Sequence, residues 1–138
     1  DKLLRAGEEK AILAVAEGAN NAPAALGSLI AKPDWLEDQA VARALRKPLM
    51  RLCAHYLIRE RRADTWARDP VAHFHLRNGA RMERLNWLGD RSPIGLERSA
   101  GMMLNYVYDV SEIESNHEAY TTDGRIVAAS TIKSLLKP

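Results

Sequence analysis

The chain has 138 residues, 46% hydrophobic and 28% charged, enough apolar matter for one core and too much for an intrinsically disordered segment. Twenty Lys and Arg against 18 Asp and Glu leave a net charge of +2, which gives no electrostatic ground for a nucleic-acid partner. No run of about 18 apolar residues occurs, which excludes a membrane-spanning helix. Cys53 is the lone cysteine, so an internal disulfide, a CxxC redox pair and a cysteine zinc site are excluded too.

The first half reads as helical. Ala11, Ile12, Val15 and Ala16 fall at helical spacing behind an acidic first turn, Glu8 and Glu9, with Gly18 as the stop. Asn20 or Asn21 caps a second short helix through Leu29 and Ile30, with Pro23 in its first turn. Asp34 and Glu37 have the form of a capping box opening a third helix, whose apolar side holds Leu36, Ala40, Val41, Ala44 and Leu45. A proline inside a helix costs about 3 kcal/mol, so Pro48 is expected to start a fourth. There Leu49, Leu52, Cys53, Tyr56 and Leu57 form one buried stripe. Cys53 reads as core packing, His55 as exposed, and Arg59, Arg61 and Arg62 as cations complementing the helix C-terminus.

The pattern changes after Asp69-Pro70. His73-Phe74-His75-Leu76 alternates like a strand, and Asn78-Gly79 is a strong hairpin signal. The return strand is expected from Ala80 to Trp87, with Arg77 facing Ala80, His75 facing Met82, and a bulge where the apolar phase shifts between Met82 and Leu85. Ser92-Pro93 predicts an N-cap and a helix running to about Gly101. Leu104, Tyr106 and Tyr108 alternate in another strand, Asp109 to Glu118 reads as an acidic loop with a helical turn, and Asp123-Gly124 as a turn. Ile126 to Leu136 is a short extended piece leading into a helix. Residues 1–63 are thus a helical segment and 70–138 a mixed one, an α+β arrangement.

Charge is uneven along this plan. Between Arg43 and Arg98 there are 12 Arg and 1 Lys against 6 Asp and Glu. Guanidinium groups suit phosphates or carboxylates, and a solvated face of ion pairs accounts for the same residues. Arg77, Arg81 and Arg84 stand under both readings, ion pairing being preferred. His73 and His75 sit two apart, so on a strand they share a face and supply two metal ligands. A catalytic zinc ordinarily takes three, and neither His55 nor His117 has a third-ligand spacing, so no metal site is expected. His75 also fits a strand histidine bonded to a backbone carbonyl, and Tyr108 a strand tyrosine with a locally bonded hydroxyl. No GxSxG, GxxxxGK[ST] or GxGxxG motif occurs.

Three blocks in order carry a resemblance. Pro48-Leu-Met-Arg-Leu-Cys-Ala54 with Tyr56-Leu57, Pro70-Val-Ala-His-Phe-His-Leu-Arg-Asn-Gly-Ala80 with Arg84-Leu-Asn-Trp87, and Ser99 to Tyr108 together resemble the malonyl-CoA decarboxylase family. The resemblance covers about Leu45 to Asp109. It implies the C-terminal part of a catalytic domain of GNAT acyltransferase type, with the N-terminal helical domain and the upstream catalytic half outside this chain. The implied reaction takes malonyl-CoA to acetyl-CoA and carbon dioxide through an enolate, with no metal or organic cofactor, the coenzyme A thioester being the substrate. His75, in the FHL-x-NGA block, corresponds to the family's active-site histidine, and Tyr108 to a tyrosine implicated there. The family's serine and coenzyme A pyrophosphate loop lie upstream and have no counterpart here, so the segment alone is expected to be inactive.

The resemblance further implies a homo-oligomer formed through regions outside this chain, with no nucleic-acid or membrane partner. The lone cysteine and the lack of a leader or SKL address suggest a cytoplasmic setting. Two other readings stand beside it. One is an acyl-CoA-dependent N-acyltransferase of related fold, which would release no carbon dioxide. The other is a non-enzymatic helical interaction module, which would bind no acyl-CoA.

Overall fold

Capping chemistry sets the ends of most helices in the computed structural model, which describes residues 3–63 and 65–138. Seven α-helices and two two-stranded antiparallel sheets occur among these residues, an α+β fold. They group into two units, residues 1–50 with 87–102, and residues 51–86 with 103–138.

The first unit is helical. Helix α1 (Ala6–Val15) buries Ile12, and α2 (Ala22–Ala31) is capped by Asn21, whose side chain accepts the Ala24 N–H at 2.9 Å. The stop expected at Gly18 is made earlier, by Ala16, whose extended backbone ends α1 with its N–H on the Ile12 carbonyl; Gly18, left-handed, turns the chain two residues on. A 3₁₀ turn at Trp35–Glu37 buries Trp35, which packs on Trp87 with ring centroids 5.8 Å apart. Helix α5 (Pro93–Ser99) opens as its sequence foretells: Ser92 Oγ accepts the Gly95 N–H at 3.1 Å, with Pro93 in the first turn.

Helix α3 (Gln39–Ile58) gives its residues through Met50 to the first unit and the remainder to the second. Two expectations are corrected here. Asp34 makes no cap; Asp38 opens the helix instead, its Oδ1 accepting the N–H groups of Ala40 and Val41 at 3.0 and 3.3 Å. Pro48 begins nothing and sits inside a continuous 20-residue helix, fully buried between the buried Leu45 and Leu49. Burial of the proline ring against that apolar side offsets the lost hydrogen bond.

In the second unit, β1 (Arg61–Arg62) pairs with β2 (Trp66–Ala67). Arg61 is a strand residue, yet its guanidinium donates to the Ile58 carbonyl at 3.0 Å, so the expected cation at the helix C-terminus is supplied from the next element. The larger correction concerns residues 70–80. They form helix α4 (Pro70–Arg77), not a strand, and there is no hairpin at Asn78-Gly79. Asp69 caps α4 by accepting the Ala72 N–H at 3.0 Å, Pro70 occupies its first turn, and Ala72 and Leu76 are its buried i, i+4 pair. At the other end Gly79 N–H reaches Leu76 O at 3.1 Å and Ala80 N–H reaches His75 O at 3.0 Å. That is a Schellman cap, with Gly79 left-handed at φ +91°.

Strand β3 (Arg81–Asn86) therefore has a different partner, β4 (Met103–Val107), with Met82 opposite Tyr106 and Leu85 opposite Leu104. Arg77 does not face Ala80, nor His75 Met82, across any ladder. The expected bulge is present between Met82 and Arg84, and it lets both Met82 and Leu85 be buried. Met82 also exchanges hydrogen bonds with Val127 and Ala129 in the extended piece near Ala128. Helix α6 (Ile113–Asp123) replaces most of the expected acidic loop and ends at the left-handed Gly124. A short α7 (Ser130–Lys133) follows.

Candidate active site

Residues two apart on a helix point about 200° away from each other. Helix α4 therefore sends His73 and His75 to opposite sides, and the shared strand face on which they would chelate one metal does not exist. Among the described residues no group of three or more His, Cys, Asp or Glu is placed to hold a metal ion. Each imidazole instead finds a phenol.

His73 Nδ1 lies 2.6 Å from Tyr120 Oη. Tyr120 is buried, and its oxygen also accepts the Ala67 N–H at 2.8 Å. With one lone pair occupied in this way, the hydroxyl proton is directed at Nδ1, which fits a neutral ring protonated on Nε2. Burial holds His73 below the ordinary histidine range, and the positive charges of Arg62 and Arg77 add to this. Trp66 stacks on the same ring, centroids 4.5 Å apart.

His75 Nδ1 makes the matching contact with Tyr108 Oη, also at 2.6 Å. Here the phenol is open: Tyr108 is 45% exposed, while His75 is half-buried, as His73 is. The imidazole lies against Tyr106, centroids 4.2 Å apart and planes 24° from parallel, with Phe74 edge-on at 5.2 Å. Tyr106 and Tyr108 alternate along β4 and its continuation, so both reach the same imidazole. The structure thus brings the two candidate site residues, His75 and Tyr108, into direct contact. The other ring nitrogen of His75, Nε2, meets no partner among the described residues.

Groups behind this pair stay uncharged. Burial pushes the Tyr106 phenol up, and the negative charge of Asp69 adds to it. Burial likewise pushes the Cys53 thiol up to about 11, with Asp69 a further cause. A half-buried thiol so raised is a poor nucleophile, in keeping with packing. Asp69 carries two structural duties, capping α4 and accepting the Tyr56 hydroxyl at 3.3 Å. Tyr106 was visible in the sequence only as a strand aromatic; its spacing of two from Tyr108 was the available signal.

Arg77 and Arg84 are exposed and their side chains form no ion pair among the described residues, while several other polar side chains have structural partners. Arg81 Nε donates to Glu83 at 2.8 Å and its Nη1 to Glu112, so ion pairing holds it. His117 Nδ1 donates to the Arg77 carbonyl at the end of α4, and His55 lies 3.3 Å from Glu60. Asn86 pairs with Asn105 across β3 and β4. A cleft of about 810 Å³ is lined by residues of the first unit between Val15 and Val41, including Asn21, Lys32 and Trp35. None of the candidate site residues lines it. No helix among the described residues is long and apolar enough to cross a membrane.

A family model described as the malonyl-CoA decarboxylase C-terminal domain matches residues 2–138. The curated protein named malonyl-CoA decarboxylase, mitochondrial, of Rattus norvegicus is 43% identical over 111 residues, 80% of this chain and 22% of that protein. Its namesake from Anser anser anser is 42% identical over the same length and shares. Crystal structures of malonyl-CoA decarboxylases from Rhodopseudomonas palustris and Agrobacterium vitis are similar in fold. The first has a TM-score of 0.76 at 38% identity and the second 0.75 at 42%. They cover 91% and 94% of this chain, which spans 29% and 32% of theirs.

Proposed function

From the premise that the chain belongs to the malonyl-CoA decarboxylase family, we propose that it supplies part of the active site that converts malonyl-CoA to acetyl-CoA and carbon dioxide. The chain spans about a fifth of the curated relatives it matches, so the rest of that site belongs to sequence beyond it. The reading places the segment within one catalytic domain of GNAT type. A serine and a pyrophosphate-binding loop contributed from upstream would complete the site, and the segment alone would be inactive. Oligomerisation through other regions and a cytoplasmic setting belong to the same proposal; the curated relatives are themselves named mitochondrial.

One observation carries it: an imidazole held at 2.6 Å by a tyrosine hydroxyl, with its second nitrogen unengaged, at a half-open surface. Cleavage of the bond between the α-carbon and the carboxylate sends its electron pair toward the thioester carbonyl. Carbon dioxide departs, an enolate remains, and the α-carbon then takes a proton. The chemistry therefore needs a fixed donor for developing negative charge and a group that handles one proton. His75 fits as that donor through Nε2–H, orienting the malonyl carboxylate or relaying the proton, while Tyr108 fixes the tautomer through Nδ1. No resident metal or organic cofactor enters any of these steps.

The test is His75→Asn in the intact polypeptide that carries this segment. Turnover of malonyl-CoA should fall by about 10²–10⁴-fold, with KM changed far less. Near-normal turnover would remove His75 from the chemistry. Release of carbon dioxide without any acyl acceptor separates this reading from an amine acyltransferase, and failure to bind any acyl-CoA would point to a non-enzymatic module.

A further inference from the structure

We propose that Tyr106 is a positioning residue for the reaction, its ring face fixing the plane of the His75 imidazole so that Nδ1 stays on Tyr108. The inference rests on the assignment of His75 above. The imidazole reorients by rotation about Cα–Cβ and Cβ–Cγ, and a single hydrogen bond at Nδ1 restrains the second, broad torsion only in part. A flat surface against the ring removes the remaining freedom. Tyr106 supplies it at 4.2 Å and 24°, and Phe74 closes the edge at 5.2 Å and 79°. The direction of Nε2–H is then set by packing before substrate arrives, which is what a preorganised donor requires.

The support beneath Tyr106 is itself fixed. Its residue pairs with Met82 in the β3–β4 ladder, and Met82 is fully buried and bonded on its other side to Val127 and Ala129. Tyr108, by contrast, lies just past the end of β4 and is exposed. The two tyrosines thus divide the work. Tyr106, on the rigid ladder, sets the plane, and Tyr108, on the open end, sets the tautomer. The Tyr106 hydroxyl, half-buried and neutral, takes no part, so only its face is at issue.

The experiment compares Tyr106→Phe and Tyr106→Leu in the intact polypeptide. Phe keeps the face, and its kcat and KM should stay within about twofold of the parent. Leu removes the face, and kcat should fall about tenfold with KM little changed and the melting temperature monitored alongside. In NMR spectra the His75 ring protons should keep their ring-current shift in the Phe variant and lose it in the Leu variant. Parental kcat in a folded Leu variant that has lost the shift would overturn the proposal. So would a Phe variant as slow as the Leu one, since that would assign the work to the hydroxyl. The ring-current readout does not depend on turnover, so it stands even if His75→Asn were to show that the imidazole has no chemical role.

Discussion

Helix α4 carries the imidazoles of two imidazole–phenol pairs, and comparing them sets a structural bond beside the one proposed to serve chemistry. Both pairs have Nδ1 to Oη separations of 2.6 Å. Tyr120 is 2% exposed and bonded twice, to His73 and to the Ala67 amide, in the middle of helix and strand contacts. Tyr108 is 45% exposed and bonded to His75 alone. Distance therefore says nothing about role. What distinguishes the pairs is the phenol: Tyr120 spends its remaining capacity on the Ala67 amide inside the protein, whereas Tyr108 is held at a surface where a ligand can meet it. The Nε2 of either imidazole meets no partner among the described residues.

The most severe way to break the comparison is to remove the platform that both pairs share. Gly79 ends α4 at φ +91°, and a Cβ there would stand 2.4 Å from the Ile113 carbonyl oxygen. Gly79→Ala combines a left-handed backbone with that overlap and should cost about 3 kcal/mol or more, lowering the denaturation midpoint of the intact polypeptide and weakening both pairs. A variant as stable as the parent would mean that α4 is not held by its C-terminal cap.

The next experiment sharpens the contrast by treating both phenols alike. Tyr120→Phe leaves the buried Ala67 amide and His73 Nδ1 without their shared partner, a loss of about 1–3 kcal/mol, while turnover per folded molecule should be kept. Tyr108→Phe removes an exposed bond, worth under about 1 kcal/mol in stability, but should slow turnover by releasing the His75 tautomer. Denaturant titration and steady-state kinetics on both variants give a crossed result if the comparison holds. Equal losses of stability would erase it.

This asymmetry also explains what the sequence allowed one to read. The candidate residues His75 and Tyr108 were named through their block resemblance, and the α2 and α5 starts were legible through Asn21, Pro23, Ser92 and Pro93. The local structure around His75 was not. Asp69-Pro70 carries the same N-cap and first-turn proline signal as Ser92-Pro93, yet the alternation of His73-Phe74-His75-Leu76 outweighed it. An Asn-Gly pair suits a hairpin turn and a helix C-cap equally, because both need a left-handed glycine. Only the buried pair Ala72 and Leu76, four apart, decides between them. Pro48 misled for a related reason: the lost hydrogen bond and ring clash of an interior proline are a cost, and burial of the ring between Leu45 and Leu49 offsets it. Tertiary partners such as Tyr120 for His73, 47 residues away, leave no local trace.

The smallest expected effect concerns protons rather than atoms. His73 is held below the ordinary 6.5 by burial, with Arg62 and Arg77 as further causes, while Tyr120 and Trp66 meet its ring. Between its lowered folded value and 6.5, the unfolded chain binds more protons than the folded one, so stability rises with pH there. Acidification from pH 7.5 to 5.5 should therefore destabilise the parent, and His73→Gln should remove part of that slope. The carboxylates of Asp90 and Asp109 do not confuse the measurement. Hydrogen bonds from Ser92 and Ser111 hold them below 3.8, so their contribution is complete above that value and is lost only as pH falls through their lower folded range. Thermal melts at the two pH values, parent against variant, read the difference directly. Identical slopes would mean that the Tyr120 pair tolerates a charged imidazole, and its distinction from the Tyr108 pair would then rest on the Ala67 amide and the burial of Tyr120.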